Sequence, residues 1–494
     1  LQGWASIPLL LCADIEEGVG QRFAGATWFP PPLALGAIAR HDMSRAVAYA
    51  EQMGAAIAQE ALAIGLNWLL APVADVNNNP ANPVINVRAC GETATAVSQL
   101  TTAFIRGAHR HRVLTTAKHF PGHGDTAIDS HLELPVIPHE RERLATTEFP
   151  PFAAAIAAGV DAVMTAHLQI PALDANYPAT LSHPILTGEL RQRLGFEGLI
   201  VTDALIMGAI AQRYGPNEAP VLALEAGADI VLMPADPAGA IQAICAAVET
   251  GRLEVDRIHA SLERIWQAKR QVCSVPLAGD TSHAWETVQP PPVQLEHLAQ
   301  PDAIATAEQI LSASMQVHSP VLSRLNTIAP TPTAQTGPSG KSPMPLRNLI
   351  ILDDALNCDL LGRQAAAIAL PTRLGYQLHV IDRHTPAAAL DPSLSEPCPT
   401  LLQLFIRGNP FRGSAGQTQA AERWLHALLD TDHLLALVLY GSPYTLEQFV
   451  PKLPPDVPYV FTYGQTPQAQ AIALQALFAN THHQEGIGDR TFTT

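Results

Sequence analysis

Between residues 7 and 234 the chain alternates short apolar runs with Ala-rich stretches, and nearly every run ends on a polar side chain. Six runs read as strands: IPLLLCAD, NWLLAPVAD, VLTTAKHF, DAVMTAH, LIVTD and ADIVLMP. Residues 40–64, 92–111, 148–158 and 184–194 read as the intervening helices. AIAAGVDAV and LEAGADIVL carry the glycine that ends a helix just before the next strand. This βαβα alternation builds a parallel sheet, either a TIM-type barrel or a doubly wound layer. The run ends decide between them: Asp14, Asp75, Lys118 with His119, His167 and Asp203 converge on one mouth only in a barrel. The expectation is a TIM-type (β/α)8-like barrel over residues 1–272, with the amphipathic stretch 254–272 as a closing helix. Six runs fall short of eight, so either an N-terminal unit is missing or the barrel is irregular.

Residues 273–293, rich in Pro and Gly and without periodicity, read as a linker. Residues 294–494 then form a second domain. LRNLIILDD, YQLHVID, PTLLQLFIRG, HLLALVLYGSP and VPYVFTYG are strand-like with helices between them, which suggests an α/β sandwich. Residues 329–345 read as a loop inside it. The pair Asp353 and Asp354 resembles two catalytic carboxylates, but a loop or cap role suits its place after a second-domain strand better.

A formal charge of −16 without any basic stripe argues against nucleic acid as a partner, and a neutral small substrate fits better. With 47% hydrophobic and 15% charged residues and no apolar run of membrane-spanning length, no membrane span is expected. The six cysteines lie far apart with no C-x-x-C pair, which suggests neither a disulfide framework nor a zinc knuckle and makes a reducing, cytoplasmic setting the expectation. LQGWASIPLL lacks the basic start and cleavage site of a signal peptide, and the true N-terminus is expected to lie upstream of Leu1.

The densest chemistry lies in AKHFPGHGDTAIDSHLELP, residues 117–135. His119, His123, Asp125, Asp129 and His131 are all metal-ligand types. Pro121, Gly122 and Gly124 prevent a helical presentation, however, and no standard ligand spacing is present. The stretch also lacks the phosphate-loop pattern. The third reading is a strand ending in Lys118 and His119, followed by a Gly-rich loop whose glycines around His123 let it open and close over the pocket. Asp129 stands two residues before His131. A carboxylate so placed can accept the ring Nδ1 proton, fix the tautomer and leave Nε2 to trade a proton. Such a pair also occurs by chance in loops, so the dyad and the incidental reading both stand at this point. In EGLIVTDALIMGAI, Asp203 ends an apolar strand where a carboxylate can attack an anomeric carbon, although it can equally cap the following helix.

KHFPGHGDTAIDSH, PATLSHPILTGELRQRLGFEGLIVTDALIMGAI, NPANPVINVRACGE and ADIEEGVGQRF together resemble glycoside hydrolase family 3, in its bacterial β-N-acetylglucosaminidase branch. ALVLYGSPYTLEQF and TYGQTPQAQAIALQALF resemble the family's C-terminal α/β sandwich. The resemblance implies a retaining hydrolase with Asp203 as nucleophile and His131, paired with Asp129, as acid/base. It also implies that Asp14, Arg88, Lys118 and His119 bind the hydroxyls of the nonreducing-end sugar; a buried Arg88, Lys118 and Asp14 ion cluster that merely holds strand ends is the competing reading. His167 ends a strand and ranks below these as a pocket-lining residue, and His123 and Asp125 suit loop ordering as well as contact. Cys90 stands where the family more usually has Phe. The implied activity is exo-hydrolysis of terminal GlcNAc from peptidoglycan-derived muropeptides or chitooligosaccharides, with neither metal nor organic cofactor. A phosphorylase of the same fold and a non-catalytic sugar-binding relative are the alternatives.

Overall fold

The structure is a computed structural model. It describes residues 5, 7–130, 133–273, 292–320, 325, 345–386, 390–394, 396–407 and 415–479. It forms two compact units, Leu1–Ile310 and Leu311–Thr494. The stretches read as a linker (273–293) and as a second-domain loop (329–345) lie almost wholly outside the described residues.

The first unit is a TIM-like barrel of parallel strands β1 (Cys12–Ala13), β2 (Trp68–Leu69), β3 (Thr116–Phe120), β4 (Ala162–Thr165) and β5 (Leu199–Val201). β1 pairs with β2, and β3, β4 and β5 pair in order. Single parallel bridges at Trp68–Leu114 and Val73–Lys118 join the two groups. The sixth expected strand, ADIVLMP, is not one: it runs beside β5 through one bridge at Ile230 and through Leu232 N–H to the Thr202 hydroxyl. A hydroxyl takes a rung that a backbone carbonyl would take in a regular ladder, which interrupts the ladder although Leu205 N–H and Ile206 N–H still bond Leu232 O and Met233 O, each at 3.0 Å.

Period-two alternation sorts the strand side chains into two buried layers. Ala162, Met164, Leu199 and Val201 pack with Trp68, Leu70, Leu114 and the closing helix's Ala268 and Val272. Ala117, Val163 and Ile200 face outward onto Phe149, Phe152, Ile185 and Leu190 of the surrounding helices. The expected helices form at Met43–Ala63, Ala94–Ala108, Phe149–Ala157 and Val255–Val272. Asp42 caps the first through Arg45 N–H at 2.9 Å, and Thr93 caps the second through Ala96 N–H at 3.3 Å. These two helices cross closely at Gly107, where a Cβ would stand 1.9 Å from the Glu51 carbonyl oxygen. Residues Pro184–Arg193 wind as a π-helix, whose last turn has Leu194 N–H bonding Glu189 O five residues back at 2.9 Å.

The second unit is an α/β layer around a six-stranded sheet ordered β6 (Gln316–His318), β11 (Tyr459–Thr462), β10 (Leu434–Gly441), β9 (Thr400–Ile406), β7 (Leu346–Ile351), β8 (Tyr376–Ile381). Only β6, which the sequence pattern does not reveal, runs antiparallel. It is three residues long and largely exposed, too short to carry a readable alternation. Asp354 binds Leu356 N–H and Asn357 N–H, each at 3.2 Å, and pairs with Arg383, so it closes a turn after β7.

Candidate active site

Every described strand end read from the sequence delivers its polar residue to the carboxyl edge of the barrel strands. Asp14 follows β1, Asp75 follows β2 by a short extension, Lys118 and His119 lie on β3, His167 follows β4 and Asp203 follows β5.

Lys118 and Glu16 form the hub. Lys118 is 1% exposed, and its Nζ donates to Asp14 Oδ1 at 2.7 Å and to Glu16 Oε1 at 2.6 Å. Glu16 in turn accepts two bonds from Arg88, from Nε at 2.9 Å and Nη2 at 2.8 Å, while Arg88 Nη1 donates to Val84 O at 3.1 Å. Burial pushes the Glu16 carboxyl up, but Arg88 and Lys118 outweigh it and hold the group well below the usual carboxylate range. For Lys118 burial works downward, and Asp14 and Glu16 reverse it, so the ammonium is held above its ordinary value. Glu16, Lys118 and Arg88 are thus charged at neutral pH. The hub is not saturated: a guanidinium has five N–H groups and an ammonium three, and the named bonds use three from Arg88 and two from Lys118. Asp14 has half its side chain in solvent. The named bonds thus leave donor capacity on Arg88 and Lys118 and a half-exposed acceptor on Asp14. Glu16, absent from the candidate list, had one signal in the sequence: it follows Asp14 by two residues at the end of the same strand.

The second pair is Asp75 and His119. His119 Nδ1 stands 2.8 Å from Asp75 Oδ2, and Asp75 Oδ1 accepts His119 N–H at 3.2 Å and His123 N–H at 2.6 Å. Burial raises the Asp75 carboxyl, and the His119 and His123 contacts more than offset it, leaving it below its ordinary value. Asp75 therefore orients the imidazole and leaves Nε2 for another partner.

Asp203 is half-buried, with its N–H 3.4 Å from Thr165 Oγ1 and Oδ1 accepting Ala204 N–H at 2.7 Å. Burial pushes its carboxyl up; His119, His167, the Ala204 N–H and Lys118 together bring it below the ordinary aspartate value. It is an anion at neutral pH. His167 is buried and acts as a strut beside it: Nε2 donates to Ala204 O at 3.0 Å, and Nδ1 lies 2.8 Å from Thr180 Oγ1. Ala204 O can only accept, which fixes Nε2 as the protonated nitrogen.

On the loop after β3, Asp129 is half-buried, and His131 lies outside the described residues. The metal-ligand types of this stretch turn to separate partners, His119 to Asp75, His123 to Ser130 and Thr126, and Asp125 to His139 at 2.8 Å. The loop's base is packed rather than hinged. A Cβ on Gly124 would stand 1.7 Å from Val76 O, and Asn82 Nδ2 donates to both His123 O at 2.8 Å and Gly124 O at 2.9 Å. Gly124 is there for close approach to the Val76 carbonyl.

His123 carries a stability consequence. Burial pushes its ring down to about 4 against the pull of Asp75. Its folded value lies below the unfolded one, so protons favour the unfolded chain: the ring costs nothing above about pH 6.5, and the folded state loses about 3 kcal/mol as pH falls from there to about 4. Denaturant titrations at pH 7 and pH 4.5 are expected to show a smaller pH-dependent loss in His123→Asn than in wild type. Equal losses would remove His123 as the source.

Residues 1–268 match the glycosyl hydrolase family 3 N-terminal domain, and residues 340–479 match the bacterial glycosyl hydrolase family 3 C-terminal domain. A β-hexosaminidase A of Pseudoalteromonas piscicida is 37% identical over 294 residues, 55% of this chain and 49% of that protein. A β-hexosaminidase of Stenotrophomonas maltophilia is 38% identical over 227 residues, 46% of this chain and 67% of that one. The chain thus spans about half the length of the first of these relatives and about two thirds of the second. Among solved structures, the glycoside hydrolase family 3 β-N-acetylglucosaminidase of a Paenibacillus species superposes with a TM-score of 0.72 at 31% identity, covering 95% of this chain and 84% of that one. With both domain matches in chain order and the ionised cluster at the barrel mouth, the chain belongs to glycosyl hydrolase family 3.

Proposed function

We propose that this chain is a retaining exo-β-N-acetylglucosaminidase that releases terminal GlcNAc through a covalent glycosyl-Asp203 intermediate. The observation that carries the reading is an ionised Asp203 beside a hub, Asp14, Lys118, Glu16 and Arg88, that keeps hydrogen-bonding capacity free for hydroxyls. The β-hexosaminidase and β-N-acetylglucosaminidase names of the relatives support the same choice of sugar. The Asp203 carboxylate attacks the anomeric carbon while His131, oriented by Asp129, gives its Nε2 proton to the departing glycosidic oxygen. His131 then takes a proton from water, whose oxygen attacks the same carbon and breaks the bond to Asp203. Two inversions return the β configuration. Asp14, Lys118, Arg88 and His119 bind the sugar hydroxyls, and His167 holds the segment carrying Asp203. The natural substrates we assign are muropeptides from peptidoglycan, with chitooligosaccharides as the second candidates.

The test is hydrolysis of 4-nitrophenyl β-GlcNAc and of the corresponding β-glucoside, followed by proton NMR with and without phosphate. The expected first product is β-configured GlcNAc from the GlcNAc glycoside alone, indifferent to phosphate. GlcNAc 1-phosphate would make the enzyme a phosphorylase, α-GlcNAc would make it inverting, and sugar binding without turnover would make it a lectin-like relative.

A further inference from the structure

One imidazole bridges both ends of the loop that carries Asp129. His123 Nδ1 stands 3.1 Å from Thr126 Oγ1, and His123 Nε2 stands 2.9 Å from Ser130 Oγ. The backbone that carries this ring is itself fixed. Asp75 Oδ1 accepts His123 N–H at 2.6 Å while Oδ2 meets His119 Nδ1 at 2.8 Å, and Asn82 Nδ2 donates to His123 O at 2.8 Å. His123 and Ser130 are each 2% exposed, in surroundings where a hydrogen bond is stronger than in water. Between the two anchors the chain packs little: Ala127 and Ile128 are exposed.

The neighbours of the ring set the direction of its protons. Asn82 Nδ2, which can only donate, lies 3.3 Å from Thr126 Oγ1. The Thr126 hydroxyl keeps its own proton to give, and His123 Nδ1 is the nearer acceptor, at 3.1 Å against 3.4 Å for His123 O. Nδ1 therefore accepts. On a ring that burial keeps neutral at pH 7 the remaining proton sits on Nε2, which donates to Ser130 Oγ. An apolar side chain would fill the same space without a cost in acid, but it would not fix Ser130 in direction as well as in distance.

Ser130 stands between Asp129 and His131 in the chain, and Glu133 N–H bonds Asp129 O at 3.0 Å. On the reading of Asp129 and His131 as the acid/base pair, we infer that His123 is a positioning residue for that pair. Through Ser130 it holds the backbone that joins the two, and through Asp75 it ties that backbone to His119. Proton transfer to a departing oxygen contributes about 10^2 to 10^4 in rate, and a misplacement of about 1 Å can cost about 10^2. The cost depends on the aglycone: a sugar alkoxide needs its proton as it leaves, whereas 2,4-dinitrophenolate leaves unaided.

Kinetics of Ser130→Ala, His123→Asn, His123→Gln and His131→Ala on N,N′-diacetylchitobiose and on 2,4-dinitrophenyl β-GlcNAc test this. For Ser130→Ala and His123→Asn, kcat/KM on chitobiose is expected to fall about tenfold to a hundredfold. On the dinitrophenyl glycoside it should stay within about threefold of wild type, with kcat and KM falling together because the attacking water still needs its base. His123→Gln, whose amide nitrogen reaches the place of Nε2, should recover most of the loss. Should His123→Asn melt early, Ser130→Ala, which loses a single hydroxyl, decides alone. Equal falls on both substrates would make His123 a packing residue and overturn the inference. So would unchanged chitobiose kinetics in Ser130→Ala, or a folded His123→Gln no better than His123→Asn. His131→Ala separates the two ways of failing. If it alone discriminates between the substrates, the acid/base reading stands and the role of His123 falls; if it does not discriminate, both fall.

Discussion

Asp203→Ala is expected to lower kcat for 4-nitrophenyl β-GlcNAc by about 10^4 to 10^6, the scale seen when the member of a catalytic set that forms the covalent bond is removed. Little change in stability should accompany it, because the carboxylate accepts a single named hydrogen bond, from Ala204 N–H. The cavity left by the side chain admits a small anion. Adding azide should therefore restore turnover and give the α-glycosyl azide, since one inversion replaces two. The pH profile adds a second check. His119, His167 and Lys118 oppose the burial of Asp203 and hold its carboxyl below the ordinary aspartate value, so the acid limb arising from it must lie below about pH 3.9. A kcat for Asp203→Ala within tenfold of wild type would end its assignment as nucleophile.

The barrel was legible because strand ends announce themselves. In a parallel barrel both faces of a strand are buried, so a charged residue is tolerated only where the strand leaves the core. Asp14 and Asp203 each stand at such an exit, whereas Lys118 lies inside β3 and is tolerated there because Asp14 and Glu16 pair with it. Less visible was how those residues pair. Lys118 joins Asp14 across 104 positions of chain, and Arg88 reaches Glu16 across 72, separations at which sequence periodicity carries no information. Of the two readings of Arg88, the ion pair is seen, though with Glu16 rather than Asp14, and the named bonds use three of its five N–H groups, which leaves the sugar-binding reading open to test.

The irregular elements escaped for a different reason. ADIVLMP has the composition of a buried strand, but Thr202 replaces a backbone acceptor with its hydroxyl and Met233 turns to φ 45°, so the ladder stops after one bridge. Residues 184–193 have helical composition, and only hydrogen-bond registration separates a π-helix from an α-helix. The close approach at Gly124 was likewise hidden, because a glycine needed for flexibility and one needed for close approach look identical until the Val76 carbonyl is seen against Gly124.

Glu16→Gln is expected to cost stability and activity together. The substitution keeps the shape of the side chain and removes one charge from between Lys118 and Arg88, leaving two cations with Asp14, whose side chain is half in solvent, as their nearest counter-charge. Removing one partner from a buried ion cluster costs about 3–5 kcal/mol, because the remaining charges keep their desolvation penalty. Glu16 Oε1 accepts from both Lys118 and Arg88, while Oε2 accepts from Arg88 Nε. An amide oxygen at Oε1 thus leaves its NH2 facing Arg88 Nε–H, a donor against a donor, which drives Arg88 from its place and lowers kcat/KM. Asp14→Asn separates the two roles. Its carboxylate is 49% exposed, so the stability change should stay within about 1 kcal/mol, while the loss of a charged acceptor for sugar hydroxyls should raise KM. Denaturant melts and steady-state kinetics on both variants decide the matter: the hub is structural as well as sugar-binding only if Glu16→Gln unfolds earlier than Asp14→Asn. If the two melt alike, Lys118 and Arg88 are held by something other than Glu16, and the buried carboxylate loses its place at the centre of the site.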